Sequence, residues 1–423
     1  MSRFASIPTS TTAVRRCARR LLAALTSAAL LGLATTQAGI IKVGTPVGPG
    51  QCSCDNLQCA FDFARYGGPH TVRITRSASY TGQNAGLTLD SNATVTIEGG
   101  YATCDQAEPD TTPTTISGLG GSDDSVLEFA LGPSSAVYLR RVIVRDGDDG
   151  NGYGGGIQQI GGLLRIDDST ISDNVAEVGG GIYVQDGNLE IGSNVVIRRN
   201  SARDGGGVAL RRADLFMNDA GSLILLNQAE TGYGGGLWVG PGSHAEIGAP
   251  GLPGVGVIYA NRAAHGGGVA AIADEDAGAF LDMISVDPGK PAGIVANLAS
   301  VRGGGLYLRS ACCLPNAGTQ GTFALADLGA GAHISDNGAP DGAAAYLDPA
   351  PSEDIGPGLT IVDGAIERNF TRQLDNTPTN GAIFHVGDDP GMSGQGTRGL
   401  KLAHTHVQFN DGGHLVRSDG LVR

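Results

Sequence analysis

The chain has 423 residues, with 28 lysines and arginines against 42 aspartates and glutamates, a formal net charge of −14 at pH 7. That acidic balance argues against nucleic acid and anionic membranes as partners, since both are recognised through concentrated cationic surface. The 69 glycines fall in short recurring runs with neither a following helix nor a P-loop lysine, and no Gly-x-Ser-x-Gly elbow occurs, so nucleotide binding and α/β-hydrolase chemistry are set aside.

At the N-terminus, Arg15, Arg16, Arg19 and Arg20 precede an apolar run from Leu21 to Ala34, and Thr36-Gln37-Ala38 supplies a small-residue cleavage site. Residues 1–38 read as a signal peptide, with an apolar run too short for a dependable membrane span. Its removal takes away five arginines and no acids, which moves the charge from −14 to −19. The expected destination is the extracellular space, the outer-membrane surface or the periplasm, with no membrane span in the mature chain.

Residues 39–110 are expected to form a cap and the first coils of a repeating structure. Cys52, Cys54, Cys59 and Cys104 lie here, and in an oxidising compartment they imply two disulfides, with three pairings open. Leu57, Ala60, Phe61 and Ala64 follow helical spacing, which predicts a short amphipathic helix over the open end of a stack.

From residue 111 to 423 one phrase recurs. An isoleucine is followed three residues later by asparagine, two residues on by alanine, then by a glycine triplet and an aliphatic, as in Ile171, Asn174, Ala176 and Gly179-Gly180-Gly181-Ile182. Copies centre on Asn174, Asn200, Asn227, Asn261, Asn297, Asn337, Asn369 and Asn410, with a variant at Ile143 to Asp146. Intervals of this size mark a solenoid. The β-branched column before each asparagine suits strands. A buried asparagine in every coil is tolerable as a ladder, since each amide can donate to one neighbour and accept from the other. Glycine fits the sharp turn. The fold expected is all-β: a right-handed parallel β-helix with a disulfide-bonded N-terminal cap, rising about 4.8 Å per coil to a rod on the order of 50 Å long.

The asparagine followed by a Gly-Gly-Gly/Ala-aliphatic stretch resembles the repeats of polymorphic outer-membrane proteins and related right-handed parallel β-helix proteins of bacterial surfaces. The resemblance runs from about Leu139 to the C-terminus and implies a surface-exposed β-helix. The segment from Cys52 to Ala64 is loosely similar to the cysteine-leucine-alanine stretch that opens many such secreted proteins. The chain departs from the barrel-bearing members in carrying no translocating barrel segment.

One residue past the aliphatic that follows the glycines stand Gln158, Tyr183, Ala209, Trp238, Ala270, Tyr307, Tyr346 and Phe384. Strand alternation places this column outside. With five aromatics in a chain that is 5% aromatic, Tyr183, Trp238, Tyr307, Tyr346 and Phe384 are candidates for stacking on extended glycan or a protein partner; strand propensity alone also enriches aromatics. Asp146, Asp148, Asp149 and Asn151 on a glycine-rich loop are the candidate calcium ligands, though the glutamate of a full EF-hand is absent; Asp274-Glu275-Asp276 is a second acidic loop. No cofactor is required by this reading. Cys312-Cys313 forms a vicinal disulfide or two free thiols in an insertion. For an enzyme, Asp167, Asp168 and Asp173 with Arg198 or Arg199, and the histidines His404, His406 and His414, are the nearest approach to paired acid/base groups. The function expected is a secreted or cell-surface structural and adhesive module that binds glycan or a surface protein; the alternative is a polysaccharide lyase or glycoside hydrolase of the parallel β-helix type. The sequence leaves the oligomeric state open.

Overall fold

A computed structural model describes residues 39–48, 51–65, 69–90, 92–119, 121, 123–219, 221–248, 256–284, 292–311, 323–348, 357–372, 381–386, 400–408 and 414–418. The signal-peptide reading, the Cys312-Cys313 pair and Asn410 fall outside these residues. Alternating apolar residues and sharp turns drive the chain round a four-sided coil. The coil Leu163–Asp167, Thr170–Ser172, Val175–Val178 and Ile182–Gln185 contributes one strand to each side. We call these the first to fourth faces, in chain order.

Among the described residues the first face has twelve strands, from Gly39–Val43 to Leu400–Ala403. The second has ten, from Thr114–Ser117 to His406–Gln408, and the fourth eleven, from Ala85–Leu89 to His414–Ser418. The third, shorter face includes Asp148–Tyr153 paired with Val175–Val178 and a five-stranded run from Gln228–Tyr233 to Phe370–Thr371. Each strand pairs in parallel with its equivalent one coil away, as Leu164 does with Leu189 and Ile182 with Val208. Strands returning in parallel to the same sheet follow the right-handed crossover rule, and the fold is a right-handed parallel β-helix.

The core is a filled tube. The isoleucine column stacks in register, Ile171 on Ile197, then Ile224, Ile258, Ile294, Ile334 and Ile366, and these side chains are at most 1% exposed. One row is corrected: Val144, not Ile143, pairs with Ile171. The asparagine slot of that coil is therefore Gly147, whose N–H donates to Asn174 Oδ1 at 2.9 Å.

From Asn174 to Asn369 the ladder is continuous. Asn227 Oδ1 accepts from both the backbone N–H and Nδ2 of Asn200, each at 3.0 Å. Asn227 in turn donates from N–H and Nδ2 to Asn261 Oδ1 at 2.9 and 3.0 Å, and Nδ2 donates a second time to the Ile197 carbonyl at 3.0 Å. The residue before each asparagine takes a left-handed conformation, φ 59° at Asp173 and 53° at Arg199, and two such residues one coil apart form a bidentate ion pair at 2.7 and 2.9 Å. At the opposite end of the third face, Gly179 has φ 69°, and a Cβ on Gly180 would lie 2.4 Å from the Ser201 carbonyl oxygen. The glycine corner therefore stacks backbone directly on backbone.

The N-terminal cap holds as expected. Helix α1 (Leu57–Ala64) buries Leu57, Ala60, Phe61 and Ala64, and the Asn56 side chain caps its N-terminus by accepting from the Cys59 N–H. Gln58 exchanges two 3.1 Å hydrogen bonds with Gly86, accepting from its N–H and donating to its carbonyl. A side-chain amide thus replaces the missing next strand at the open edge of the fourth face. Disulfides join Cys52 to Cys104 and Cys54 to Cys59, the covalent chemistry of a chain folded in an oxidising compartment. No helix among the described residues is long and apolar enough to cross a membrane.

Replacing Asn227 by alanine strands the N–H and an Nδ2 hydrogen of Asn200 in the dry interior, at an expected cost of about 3 kcal/mol. Asp173→Ala breaks a solvent-screened pair with Arg199 and a hydrogen bond with Ser172 and is expected to cost about 1 kcal/mol or less. Denaturant midpoints of the two variants check this, and equal shifts would contradict a ladder that carries stability.

Candidate functional site

Outward side chains normally diverge, but at the glycine corner they converge. The residue before each triplet, Tyr153, Val178, Asp204, Tyr233, His265, Arg302 or Asp341, is held through its carbonyl, which accepts from the first glycine N–H of the previous coil or, at Tyr153, from the Ser125 hydroxyl. Across the corner runs the outward column of the fourth face, whose register is Glu128, Gln158, Tyr183, Ala209, Trp238, Ala270, Tyr307, Tyr346 and His385. The two columns touch: Tyr153 lies 4.7 Å from Tyr183 between ring centroids, and His265 5.0 Å from Tyr307. Side chains on two outer surfaces meet only if the surfaces enclose a concave angle, so the corner is a groove lined by both columns.

This placement corrects the expected stacking surface. Tyr183, Tyr307 and Tyr346 stand in the expected column, yet are only 2%, 2% and 5% exposed, because the facing column covers them. Tyr233 fills the space over Ala270, 5.2 Å from His265 and 5.6 Å from Tyr307, while Arg302 lies 4.7 Å over the Tyr346 ring. Phe384 is not in the column. In that coil Gly381-Ala382-Ile383 occupies the triplet, so Phe384 pairs with Ala345 and points into the core, and His385 takes the outward row. Trp238 alone of the five candidates is half-buried. Its ring lies over Gly240, where a Cβ would come within 2.5 Å of the indole, and its Nε1 has no hydrogen-bond partner among the described residues.

Ionisable groups gather at both ends of the groove. Toward the N-terminus, burial pushes the Glu128 carboxyl up to about 8, helped by a hydrogen bond with Asp124 and by the charges of Asp124 and Asp149. Asp149 is also raised, first by burial, against the Tyr153 N–H that donates to it at 3.0 Å. Toward the C-terminus, burial and the Asp348 carboxylate that accepts from its hydroxyl raise Tyr307. Burial, and next the Arg302 charge, lower His265, whose Nδ1 has no hydrogen-bond partner among the described residues. His385 stacks on Tyr346 at 4.4 Å and its Nδ1 lies 2.5 Å from Asp341 Oδ2. Burial works against the Asp341 carboxylate, but hydrogen bonds from His385 and the Ala382 N–H hold it below the usual range.

The other sequence candidates do not converge. Asp146 accepts from the Ser117 hydroxyl at 2.8 Å, Asp148 and Asn151 are exposed, and Asp149 turns into the groove. Among the described residues no group of three or more His, Cys, Asp or Glu side chains could hold a metal ion. Asp274 caps its own turn by accepting from Asp276 and Ala277. Asp167 is held by Arg165 and Arg140, Asp168 by Asn194, and Asp173 by Arg199. His404 lies 3.5 Å from Asp363 and His406 3.8 Å from Glu367. Sequence reasoning missed Glu128, Tyr153, Tyr233, His265, Arg302, Asp341 and His385. The signal for most of them was the residue immediately before each glycine triplet.

No protein-family model matches the chain, and no curated protein is detectably similar to it. Among solved structures, the crystal structure of Escherichia coli YbhC matches over 89% of this chain and 86% of that one, at 12% identity and a TM-score of 0.25. The fold assignment rests on the strand register and not on this likeness.

The groove carboxylates have opposite pH signatures. A raised Glu128 keeps its proton in the fold, so its contribution is complete below the ordinary glutamate range and is lost as pH rises toward 8. A lowered Asp341 contributes above the ordinary aspartate range and loses that contribution as pH falls through its folded value. Thermal midpoints measured from roughly pH 3 to roughly pH 9 are expected to show Glu128→Gln gaining on the parent toward alkaline pH and Asp341→Asn flattening the acid limb. Parallel profiles for parent and variants would contradict both assignments.

Proposed function

We propose that the mature chain is an extracellular structural and adhesive rod, exported by its N-terminal signal, that holds glycan or a surface protein along the groove at its glycine corner. The observation that supports this most is Trp238. A large ring edges over a glycine and is partly exposed, while its N–H is buried. A partly exposed indole fits a ligand that offers an apolar face, as sugars and protein loops do. The resemblance of the repeats to those of polymorphic outer-membrane proteins belongs to the same reading.

Glu128 favours a second reading. A carboxyl that stays protonated near neutral pH beside Asp124 and Asp149 has the character of a general acid with a carboxylate close by, as glycoside hydrolysis requires. Here the chain would cleave a polysaccharide at the N-terminal end of the groove.

A glycan array and polysaccharide pull-down on residues 39–423, with analysis of the bound sugars for shortened or unsaturated products, separates the readings. The adhesive reading expects binding without product, weakened about tenfold or more by Trp238→Ala. Product that disappears in Glu128→Gln would replace it with the enzymatic reading. Binding equal in parent and Trp238→Ala would remove the groove from the proposal.

A further inference from the structure

The second face carries a surface of another kind. Its outward residues form two columns, and their middle rows are apolar: Val196, Leu223 and Val257 in one, Leu225, Tyr259 and Val295 in the other. Tyr259 is 44% exposed, and Leu226 at the neighbouring turn 47%. Nothing among the described residues folds back over these rows as the third face does over the fourth. A flat run of outward aliphatic residues on a β-sheet is the kind of surface that marks an interface.

The order of residues along the second column shows what would cover it. From the N-terminal side the column reads Arg145, Ser172, Arg198, Leu225, and then Tyr259, Val295, Ser335, Glu367. A two-fold axis between Leu225 and Tyr259 makes the central rows self-complementary. Leu225 meets Tyr259 and the aliphatic stem of Arg198 meets Val295, while Ser172 and Ser335, 3% and 5% exposed, lie beneath the contact. Arg145 and Glu367, which within one copy pair with Asp146 and Arg368, meet one row inside the column's outermost described residues, Ser117 and Gln408. We propose that the second face packs against the second face of another copy of this chain, giving an isologous dimer with its rods antiparallel.

The first face is a poorer choice for the same role. Its outward row carries Glu246, Asp282 and Asp327 on successive coils, so a matching copy would bring carboxylate against carboxylate. The size of the second-face patch sets the strength. Eight rows spaced about 4.8 Å, one short strand wide, cover roughly 34 by 10 Å per copy, below the size of a stable interface and suited only to a weak, transient one. A reversible dimer with a Kd on the order of 10–100 μM is what such a patch supports.

Sedimentation velocity on residues 39–423 from about 1 to 500 μM tests this, with thermal melting as the control for folding. The parent is expected to shift from monomer to dimer across that range. Tyr259→Asp, at an exposed position, is expected to keep the parent melting temperature and weaken association by about tenfold or more, through an uncompensated charge at the centre of the contact. Arg145→Glu alone is expected to weaken the dimer, and Arg145→Glu with Glu367→Arg to restore it. A parent that stays monomeric at the top of that range, or a dimer indifferent to Tyr259→Asp, would overturn the proposal. A dimer sensitive to Tyr259→Asp but not rescued by the charge exchange would overturn its two-fold register. The outcome is independent of whether the groove binds glycan.

Discussion

The turn between the second and third faces imposes the constraint that the rest of the molecule obeys. It pairs a left-handed residue with a fully buried asparagine, and neither is favourable alone. A solitary amide there would leave donors unmet at about 1–3 kcal/mol each. Stacked, each asparagine satisfies the one before it and is satisfied by the one after. The rows must therefore stay in register from Asn174 to Asn369, while the chain between rows is free to vary in length. Extra residues enter between strands, as they do between Ser243–Ile247 and Val257–Tyr259, and leave the ladder untouched.

In-register stacking also decides where chemistry can collect. Away from the glycine corner, outward side chains meet mostly their strand neighbours and their equivalents above and below, and equivalent turn residues at left-handed positions form ion pairs, Asp186 with Arg212 and Asp336 with Arg368. At the glycine corner, where no side chain keeps the two faces apart, outward side chains meet across the angle as well. Aromatic rings there become a second small core, and the acids and histidines among them lose solvent. The perturbed Glu128, His265 and Tyr307 share that one physical origin.

The repeating part of the fold was legible because it is written in every coil: the isoleucine, the asparagine and the triplet each do one job at one place. The helix over Leu57 to Ala64 was legible for the ordinary reason of its apolar spacing. The groove was not, because period-two alternation says only that Tyr183 and Tyr307 point away from the core. It cannot say that the faces beyond Gly179 and Gly303 fold toward each other and bury them. Phe384 was misplaced for a narrower reason. Ile383 stands where the earlier coils have glycine or, at Ala344, alanine, and counting from the first aliphatic shifted the coil by one residue. Glu128 lay outside the repeat phrase altogether and joined the column only through its pairing with Gln158.

The two surfaces ask for different partners. The groove is narrow, mixed and largely filled by its own side chains, and Trp238 Nε1 and His265 Nδ1 are buried among its rings. A ligand there gains by laying a flat face on the exposed part of an indole, which is the work of a slender chain and not of a second folded domain. The second face is flat and apolar at its centre, with Arg145 and Glu367 on either side of that centre, which suits another sheet and offers little to a sugar. The two surfaces lie on different sides of the coil, so occupying one leaves the other open. An antiparallel pair of rods joined at their second faces would present its two grooves outward, and a repeating ligand that reached both would be held with the gain in effective concentration that bivalency brings. Weak pairing and weak single-site binding would then reinforce each other, without any new contact being required of either surface.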